Sequence, residues 1–277
     1  MHETAWAKLN LALHVRARRA DGYHAIESLF AFAEDGDVLS AAPADALTLQ
    51  VTGPFAGALA AEPDNLVLRA ARALGDLTQG RRGAALTLDK RLPVSAGIGG
   101  GSADAAAALR LLVRLWGVPV GEADLLSLAA RLGADVPACL IGQTVRGAGR
   151  GDELARVAAS DLSGTPVLLV NPGVPLSTAS VFAAWAGVDR GALGDGDPLA
   201  AALGGRNDLE PPATALVPEI GALLGDLRTL DGVRLARMSG SGATCFALFD
   251  DAAACAEGVD RIRHLHPSYW YLESTLR

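Results

Sequence analysis

PVSAGIGGGSA, residues 93 to 103, decides how the rest of the chain is read. Gly97 and the run Gly99, Gly100, Gly101 stand directly before Ser102 and an alanine-rich stretch. Glycine reaches positive φ without strain and lets backbone N–H groups approach a ligand with no Cβ in the way. Upstream, AALTLDKRLP reads as a strand that Pro93 ends. Downstream, Ala105, Ala106, Leu109, Leu112, Val113 and Trp116 recur at helical spacing until Gly117 and Pro119 stop the pattern. A helix starting near Ser102, with that serine as N-cap, would add unpaired N–H donors and the positive end of its dipole, an anion site suited to a nucleotide's phosphates. The same glycines could also serve only a tight strand-to-helix turn. The loop lacks the Gly-Lys-Ser/Thr ending of a Walker motif. It also has no acidic residue about 20 positions on in a strand, as a dinucleotide site would; Asp124 comes nearest and sits in a helical pattern.

Working outward, Ala7, Leu9, Leu11, Leu13 and Val15 alternate with Trp6, Lys8, Asn10 and His14, which predicts a strand with Lys8 and Asn10 on one face. Asp21-Gly22 signals a tight turn and AIESLF a return strand, so the chain opens on a β-hairpin. DNLVLRAARAL is an amphipathic helix with Asp64 or Asn65 as N-cap. GEADLLSLAARLG is another, closed by Gly133, and it delivers ADVPACL just beyond its end. TPVLLVNPG predicts a strand, SVFAAW the start of a helix and LVPEIGALLGDLRTL a further helix. The turn MSGSGAT leads into the strand CFALF, and DAAACAEGVDRIRHL then YWYLESTL read as helix and terminal strand. Hairpins and helices without regular βαβ alternation predict an α+β architecture. The glycine-rich stretch around residues 147 to 153 is the candidate junction, dividing the chain into 1–150 and 151–277.

A chain of 277 residues, half of them apolar and a fifth charged, can bury a large core in one domain or two. Its formal charge of −7 argues against a nucleic-acid partner held through phosphates. No apolar run approaches the roughly 20 residues needed to cross a bilayer. The start MHETAWAKLNLALHV has no basic segment followed by a long apolar core, so no secretory signal is expected and the cytoplasm is the expected compartment. Cys139, Cys245 and Cys255 are widely separated and read as reduced, buried thiols. The histidines form no metal-ligand cluster, so no structural metal is predicted.

Residues 93 to 103 resemble the ATP-phosphate motif of the galactokinase, homoserine, mevalonate and phosphomevalonate (GHMP) kinase superfamily, with AKLNLALHVRARRADGYHAIESLF before it and MSGSGATCFALF after it in the expected order. The set AKLNL, RADGYH, LDKRLP, GIGGGSADAA, LGADVP and SGSGAT covers the chain nearly from end to end and is similar to the diphosphocytidyl-methylerythritol kinases in particular. The resemblance implies a two-domain α+β fold with an N-terminal ATP-binding domain, a C-terminal α/β substrate domain and an active site in the cleft between them. It implies ATP as phosphoryl donor, with magnesium carried by the nucleotide, and the non-mevalonate route to isoprenoid precursors.

In that family a lysine and an aspartate form the catalytic pair, which maps onto Lys8 and Asp135. A carboxylate beside an acceptor hydroxyl can guide its proton, and an ammonium stabilises the transition-state charge. Read alone, Asp135 is an ordinary N-cap with Pro137 in the first turn, and a lone strand lysine is usually solvated. The resemblance further assigns ATP binding to Pro93, Val94, Ser95, Ala96, Gly97, Ile98, Gly99, Gly100, Gly101, Ser102 and Ala103, with Asn65 and Lys90 on the adenosine side. Substrate binding falls to Asn10, Tyr23, His24, Thr178, Phe182, Gly240 and Ser241, the aromatic groups clamping a pyrimidine that His24 can hydrogen-bond; Phe182 could equally be a core helix residue. Ala103 replaces a common second serine, leaving Ser102 or no serine for magnesium, and Ala179 follows Thr178 where proline is common. Other readings are a homoserine- or mevalonate-type kinase and a non-catalytic nucleotide-binding module. The expected partners are a small molecule and at most a second copy in a weak homodimer, with neither nucleic acid nor membrane.

Overall fold

The alternation that begins at Ala5 extends into one long strand, β1 (His2–Arg18), which turns at Gly22 (φ 85°) into β2 (His24–Ala42) and pairs with it. The computed structural model describes residues 1–59, 64–78, 80, 82–157 and 162–277. After the hairpin come β3 (Leu47–Thr52), α1 (Ala56–Leu59), α2 (Leu66–Leu77), β4 (Ala84–Asp89), α3 (Gly100–Trp116), α4 (Glu122–Leu132) and α5 (Val136–Ile141). β5 (Val145–Ala148), β6 (Glu153–Arg156), β7 (Pro166–Asn171), α6 (Thr178–Ala183), α7 (Pro198–Gly204), α8 (Glu210–Leu216) and α9 (Pro218–Arg228) follow. β8 (Val233–Met238), β9 (Cys245–Phe249), α10 (Ala252–Leu265) and β10 (Trp270–Thr275) complete the order. The α+β class expected from the pattern is the observed one.

Two compact units are interleaved in the sequence. The first holds Met1–Ala7, Asp35–Val94 and Gly99–Gly142, and the second Lys8–Glu34, Ser95–Ile98 and Gln143–Arg277. A single cut at residue 150 does not describe this division, because β1 and β2 each contribute residues to both units. The stretch around 147 to 153 is the turn of the β5–β6 hairpin, in which Gly149 and Gly151 take positive φ.

In the first unit β4 lies between β3, parallel to it from Leu47↔Ala84 to Thr52↔Asp89, and the end of β2, antiparallel from Val38↔Asp89 to Ala42↔Ala85. Helix α3 packs on α2 and α5, and its buried residues Ala103 and Ala105 to Ala108 keep that approach close. Asn65, not Asp64, caps α2 by accepting from Val67 N at 2.9 Å. The serine-capped start expected for α3 is corrected: the helix begins at Gly100 and its N-cap is Gly99 in the left-handed region (φ 63°), so Ser102 lies inside the first turn. The glycine run lets the chain enter the helix before it reaches the serine.

The second unit is built on an antiparallel sheet in the order β10-β7-β9-β8. Leu168 and Val170 of β7, Phe249 of β9, Leu223 and Leu227 of α9 and Ile262 of α10 share its core. Each such side chain contributes about 1.5–3 kcal/mol when fully buried. All three cysteines are buried and none is in a disulfide.

Candidate active site

In the second unit the polar face of β1 is covered rather than solvated. Lys8, Asn10 and His14 are all buried, because the polar groups there satisfy one another. Lys8 Nζ donates to Asn10 Oδ1 at 3.0 Å and stands 4.7 Å from the centroid of the Phe30 ring. Asn10 Nδ2 donates to Ser28 Oγ at 2.8 Å, and Ser28 passes a bond on to Ala12 O at 2.7 Å. The Asn10 N–H donates to Ser239 Oγ at 3.1 Å, and Ser239 donates to Gly97 O at 2.9 Å. A strand's period of two sets Lys8 beside Asn10, and the pairing of β1 with β2 brings in Ser28.

This lattice is fastened to the glycine-rich segment. Lys8 N donates to Ile98 O at 3.0 Å and Thr244 N to Ala96 O at 3.1 Å. A Cβ on Gly97 (φ 78°) would fall 2.4 Å from Ser239 O, and one on Gly240 (φ 56°) 2.8 Å from Gly97 O, so both positions need glycine for space as well as conformation. Ser95 takes φ 55°, a left-handed conformation costing a non-glycine residue about 1–2 kcal/mol. Asn207, buried, holds the turn from behind, donating to Met238 O and Gly240 O at 2.8 Å each. Thr178 Oγ1 and Ser241 Oγ are hydrogen-bonded at 2.8 Å, tying α6 to the same turn.

The second unit also holds an aromatic group. The His24 ring lies 4.8 Å from Phe182, tilted by 35°, and 5.7 Å from Trp185, edge-on. Tyr23 is 54% exposed, with the Arg150 guanidinium 5.2 Å from its ring. His24 Nε2 is buried with no hydrogen-bond partner among the described residues. Burial, and next the Arg18 charge, lower the His24 pKa, which favours the neutral ring.

In the first unit, α3 opens on glycines. The first-turn N–H groups, which an α-helix leaves without intrahelical partners, receive no side-chain cap from Gly99. Asp135 stands at the N-cap of α5, with Pro137 in the first turn, but its side chain does not cap that helix. Lys90 is 1% exposed and is held between two carboxylates, Asp37 Oδ2 at 2.5 Å and Asp104 Oδ2 at 2.7 Å. Burial pulls the Lys90 pKa down, but the two carboxylates outweigh it and leave it raised. Burial, helped by the Asp37 charge, pushes the Asp104 carboxyl up to about 8 against the pull of the ammonium.

The structure therefore gathers Lys8, Asn10, Ala96, Gly97, Ile98 and Gly240 into one lattice and His24 with Phe182 into another group. Lys90, Asn65, Pro93, Val94, Gly99 to Ala103 and Asp135 belong to the first unit. Sequence reasoning missed Ser28, Ser239, Asn207, Trp185, Asp37 and Asp104. Ser239 lies inside the quoted SGSGAT turn and Asp104 inside GIGGGSADAA, so both were visible as letters without partners.

The family model of the GHMP kinases N terminal domain matches residues 65–143, and that of the GHMP kinases C terminal matches residues 189–263. Over 100% of its length the chain is 59% identical to the 4-diphosphocytidyl-2-C-methyl-D-erythritol kinase of Rhizorhabdus wittichii, covering 96% of that protein. It is 54% identical to the protein of the same name from Novosphingobium aromaticivorans, again over 100% of this chain and 93% of the relative. A crystal structure of 4-(cytidine 5'-diphospho)-2C-methyl-D-erythritol kinase matches with a TM-score of 0.81 at 34% identity, over 100% of this chain and 99% of that one. The homoserine kinase of Cytophaga hutchinsonii shares the fold, with a TM-score of 0.69 at 18% identity over 98% and 95% of the two chains.

Proposed function

We propose the function of this chain from the family it belongs to, the 4-diphosphocytidyl-2-C-methyl-D-erythritol kinases among the GHMP kinases: transfer of the γ-phosphoryl group of ATP to the 2-hydroxyl of 4-diphosphocytidyl-2-C-methyl-D-erythritol. The products are the 2-phosphate and ADP, in the non-mevalonate synthesis of isoprenoid precursors. The observation that carries this reading is the buried Lys8–Asn10 lattice built onto the Gly97 backbone, in a chain whose relatives match it from end to end.

In the transfer, the acceptor oxygen bonds to the γ-phosphorus as the bond to the β-bridging oxygen breaks, and the electron pair leaves with ADP. Asp135 orients the acceptor hydroxyl and takes or guides its proton, and Lys8 stabilises the charge on the transferring group. The N–H groups of Gly99 to Ser102, with residues 93 to 98 and Ala103 shaping the loop, bind the phosphates, and Asn65 and Lys90 serve the adenosine side. Ser102, or no serine, would meet a magnesium ion carried by ATP, which would offset the charge of the phosphates. Tyr23, His24 and Phe182 clamp the cytosine; Asn10, Thr178, Gly240 and Ser241 bind the diphosphate and polyol. Residues 1–150 supply the nucleotide-binding groups together with Lys8, Asn10, Tyr23, His24 and Asp135, and residues 151–277 supply Thr178, Phe182, Gly240 and Ser241 to the acceptor. The enzyme works in the cytoplasm as a monomer or weak homodimer.

The test is ADP release with ATP, magnesium and four alcohols: the cytidylyl compound, methylerythritol 4-phosphate, homoserine and mevalonate. Turnover with the cytidylyl compound alone is expected. Turnover with homoserine or mevalonate would overturn the substrate, and silence with all four would overturn the kinase reading.

A further inference from the structure

The charge of Lys90 is already spent inside the protein. Both carboxylates that hold it are buried, Asp37 at 0% and Asp104 at 3% exposure. Asp37 is itself fixed from its other oxygen, which accepts from Arg91 N at 2.6 Å and Leu92 N at 2.8 Å. Asp104 rides on α3 just past its first turn, so the Lys90–Asp104 bond ties the end of β4 to the start of α3 across 14 residues of chain. That intervening stretch contains the glycine run, whose backbone freedom would otherwise have to be frozen whenever a ligand binds. A Cβ on Gly100 would stand 3.1 Å from Lys90 Nζ, so the ammonium lies directly against the entry to the helix. The second oxygen of Asp104 has no hydrogen-bond partner among the described residues. Burying such a group and an ammonium for stability alone is poorly rewarded, because well-packed apolar side chains usually do as well.

We propose that Asp37, Lys90 and Asp104 form a buried positioning cluster that holds the first turn of α3, and that Lys90 acts on ATP through the N–H groups of Gly100 to Ser102 instead of touching the nucleotide. The inference rests on the reading of that helix entry as a phosphate site. It changes the role of Lys90 from a ligand to a strut, and makes Asp104 part of nucleotide affinity.

The test is ATP binding to the full chain by calorimetry with magnesium and no acceptor, alongside steady-state kinetics. Lys90→Met and Asp104→Leu are each expected to weaken ATP binding about tenfold, as a displaced binding group does, while the KM of the acceptor stays within about twofold. The double variant should be no weaker than either single one, since both remove the same tie. Asp104→Asn, which keeps an acceptor for the ammonium, should recover most of the affinity. A purely stabilising role would lower melting temperature and leave ATP affinity intact, which would overturn the proposal. So would an unchanged affinity in Asp104→Leu beside a large loss in Lys90→Met, or losses that multiply in the double variant, because those mark Lys90 as a direct contact. If the disruptive variants do not fold, amide exchange in Lys90→Gln, which removes the charge and shortens the side chain, decides: faster exchange at Ala103, whose N–H is bonded to Gly99 O, supports the strut and unchanged exchange overturns it. Failure of the wild-type chain to bind ATP would instead overturn the kinase reading, and is seen before any variant is made.

Discussion

Two polar neighbourhoods of the second unit are finished to different degrees. Around Asn10 the lattice is closed: Lys8, Ser28 and Ser239 give and receive bonds of 2.8 to 3.1 Å, and the residues themselves are buried. Around His24 the arrangement is open. Its rings meet at 4.8 and 5.7 Å, Tyr23 is more than half exposed, and a buried imidazole nitrogen has no partner among the described residues. A closed lattice is preorganised, so its groups need no rearrangement as charge develops. An open aromatic group gains its last contacts from the ligand. The difference divides the two sides by kinetic signature: lattice variants should act on kcat, and ring variants on KM for the cytidylyl substrate.

The sharpest break would be Lys8→Met, which keeps the length of the side chain and removes its charge. Turnover should fall about 10³-fold, the scale of losing one preorganised donor to the transition state, with ATP affinity within about threefold of wild type. Equal kcat with a raised KM would place Lys8 on the binding side and erase the contrast. Asn10→Ala comes next. It strips the acceptor from Lys8 and the donor from Ser28, and a misplaced ammonium should cost about 10²-fold in kcat. Stability should fall by about 1–3 kcal/mol, because the buried bonds from Lys8 to Asn10 and from Asn10 to Ser28 are lost. Parallel steady-state and thermal unfolding measurements separate the two effects. Phe182→Leu keeps an apolar side chain at its partly buried position but loses the ring. It should raise KM for the cytidylyl substrate about fivefold, as the loss of one aromatic pair predicts, and leave kcat within about twofold. A fall in kcat as large as that of Asn10→Ala would show that the clamp is as preorganised as the lattice.

The same contrast governs what was legible in the sequence. Lys8 and Asn10 could be placed side by side because strand periodicity is local, and the β1–β2 hairpin, the Asn65 cap and the Gly117 stop were written in neighbouring residues. The glycines were read as room for a ligand, and Gly97, which precedes the run, gives room to backbone of Ser239 and Gly242. Partners distant in the chain carried no such signal. Asp37 lies 53 residues from Lys90, and Ser239 lies 229 from Asn10, so Lys90 read as a residue of the adenosine side and its burial between two carboxylates was invisible. The helix start was misplaced for a local reason: serine is the commoner cap, yet glycine at positive φ made the turn first. The interleaving of the two units was hidden because β1 and β2 pass from one to the other without any break in composition.

The smallest predicted effect tests the open region through its charge. The His24 pKa is lowered by burial and then by the like charge of Arg18, whose guanidinium also donates to Trp185 O at 2.9 Å. For a base, a lowered pKa means that the neutral form persists to more acid pH. The ring should therefore be mostly uncharged at pH 6.5, where an ordinary imidazole is half protonated. A neutral Nε2 can meet a pyrimidine edge as donor or acceptor according to its tautomer, whereas the protonated ring can only donate and is repelled by Arg18. KM for the cytidylyl substrate should consequently rise on acidification with its midpoint below pH 6.5, with kcat unaffected by this group. Titrating the imidazole C–H resonance in the wild type and in Arg18→Gln gives the independent measurement, and the variant's titration should move toward higher pH as the like charge is removed. A KM rise centred at or above pH 6.5, together with an unmoved resonance in the variant, would mean that the ring is neither desolvated nor under the influence of Arg18. The open side of the comparison would then be merely solvent-exposed, and its rings would not be waiting for a base.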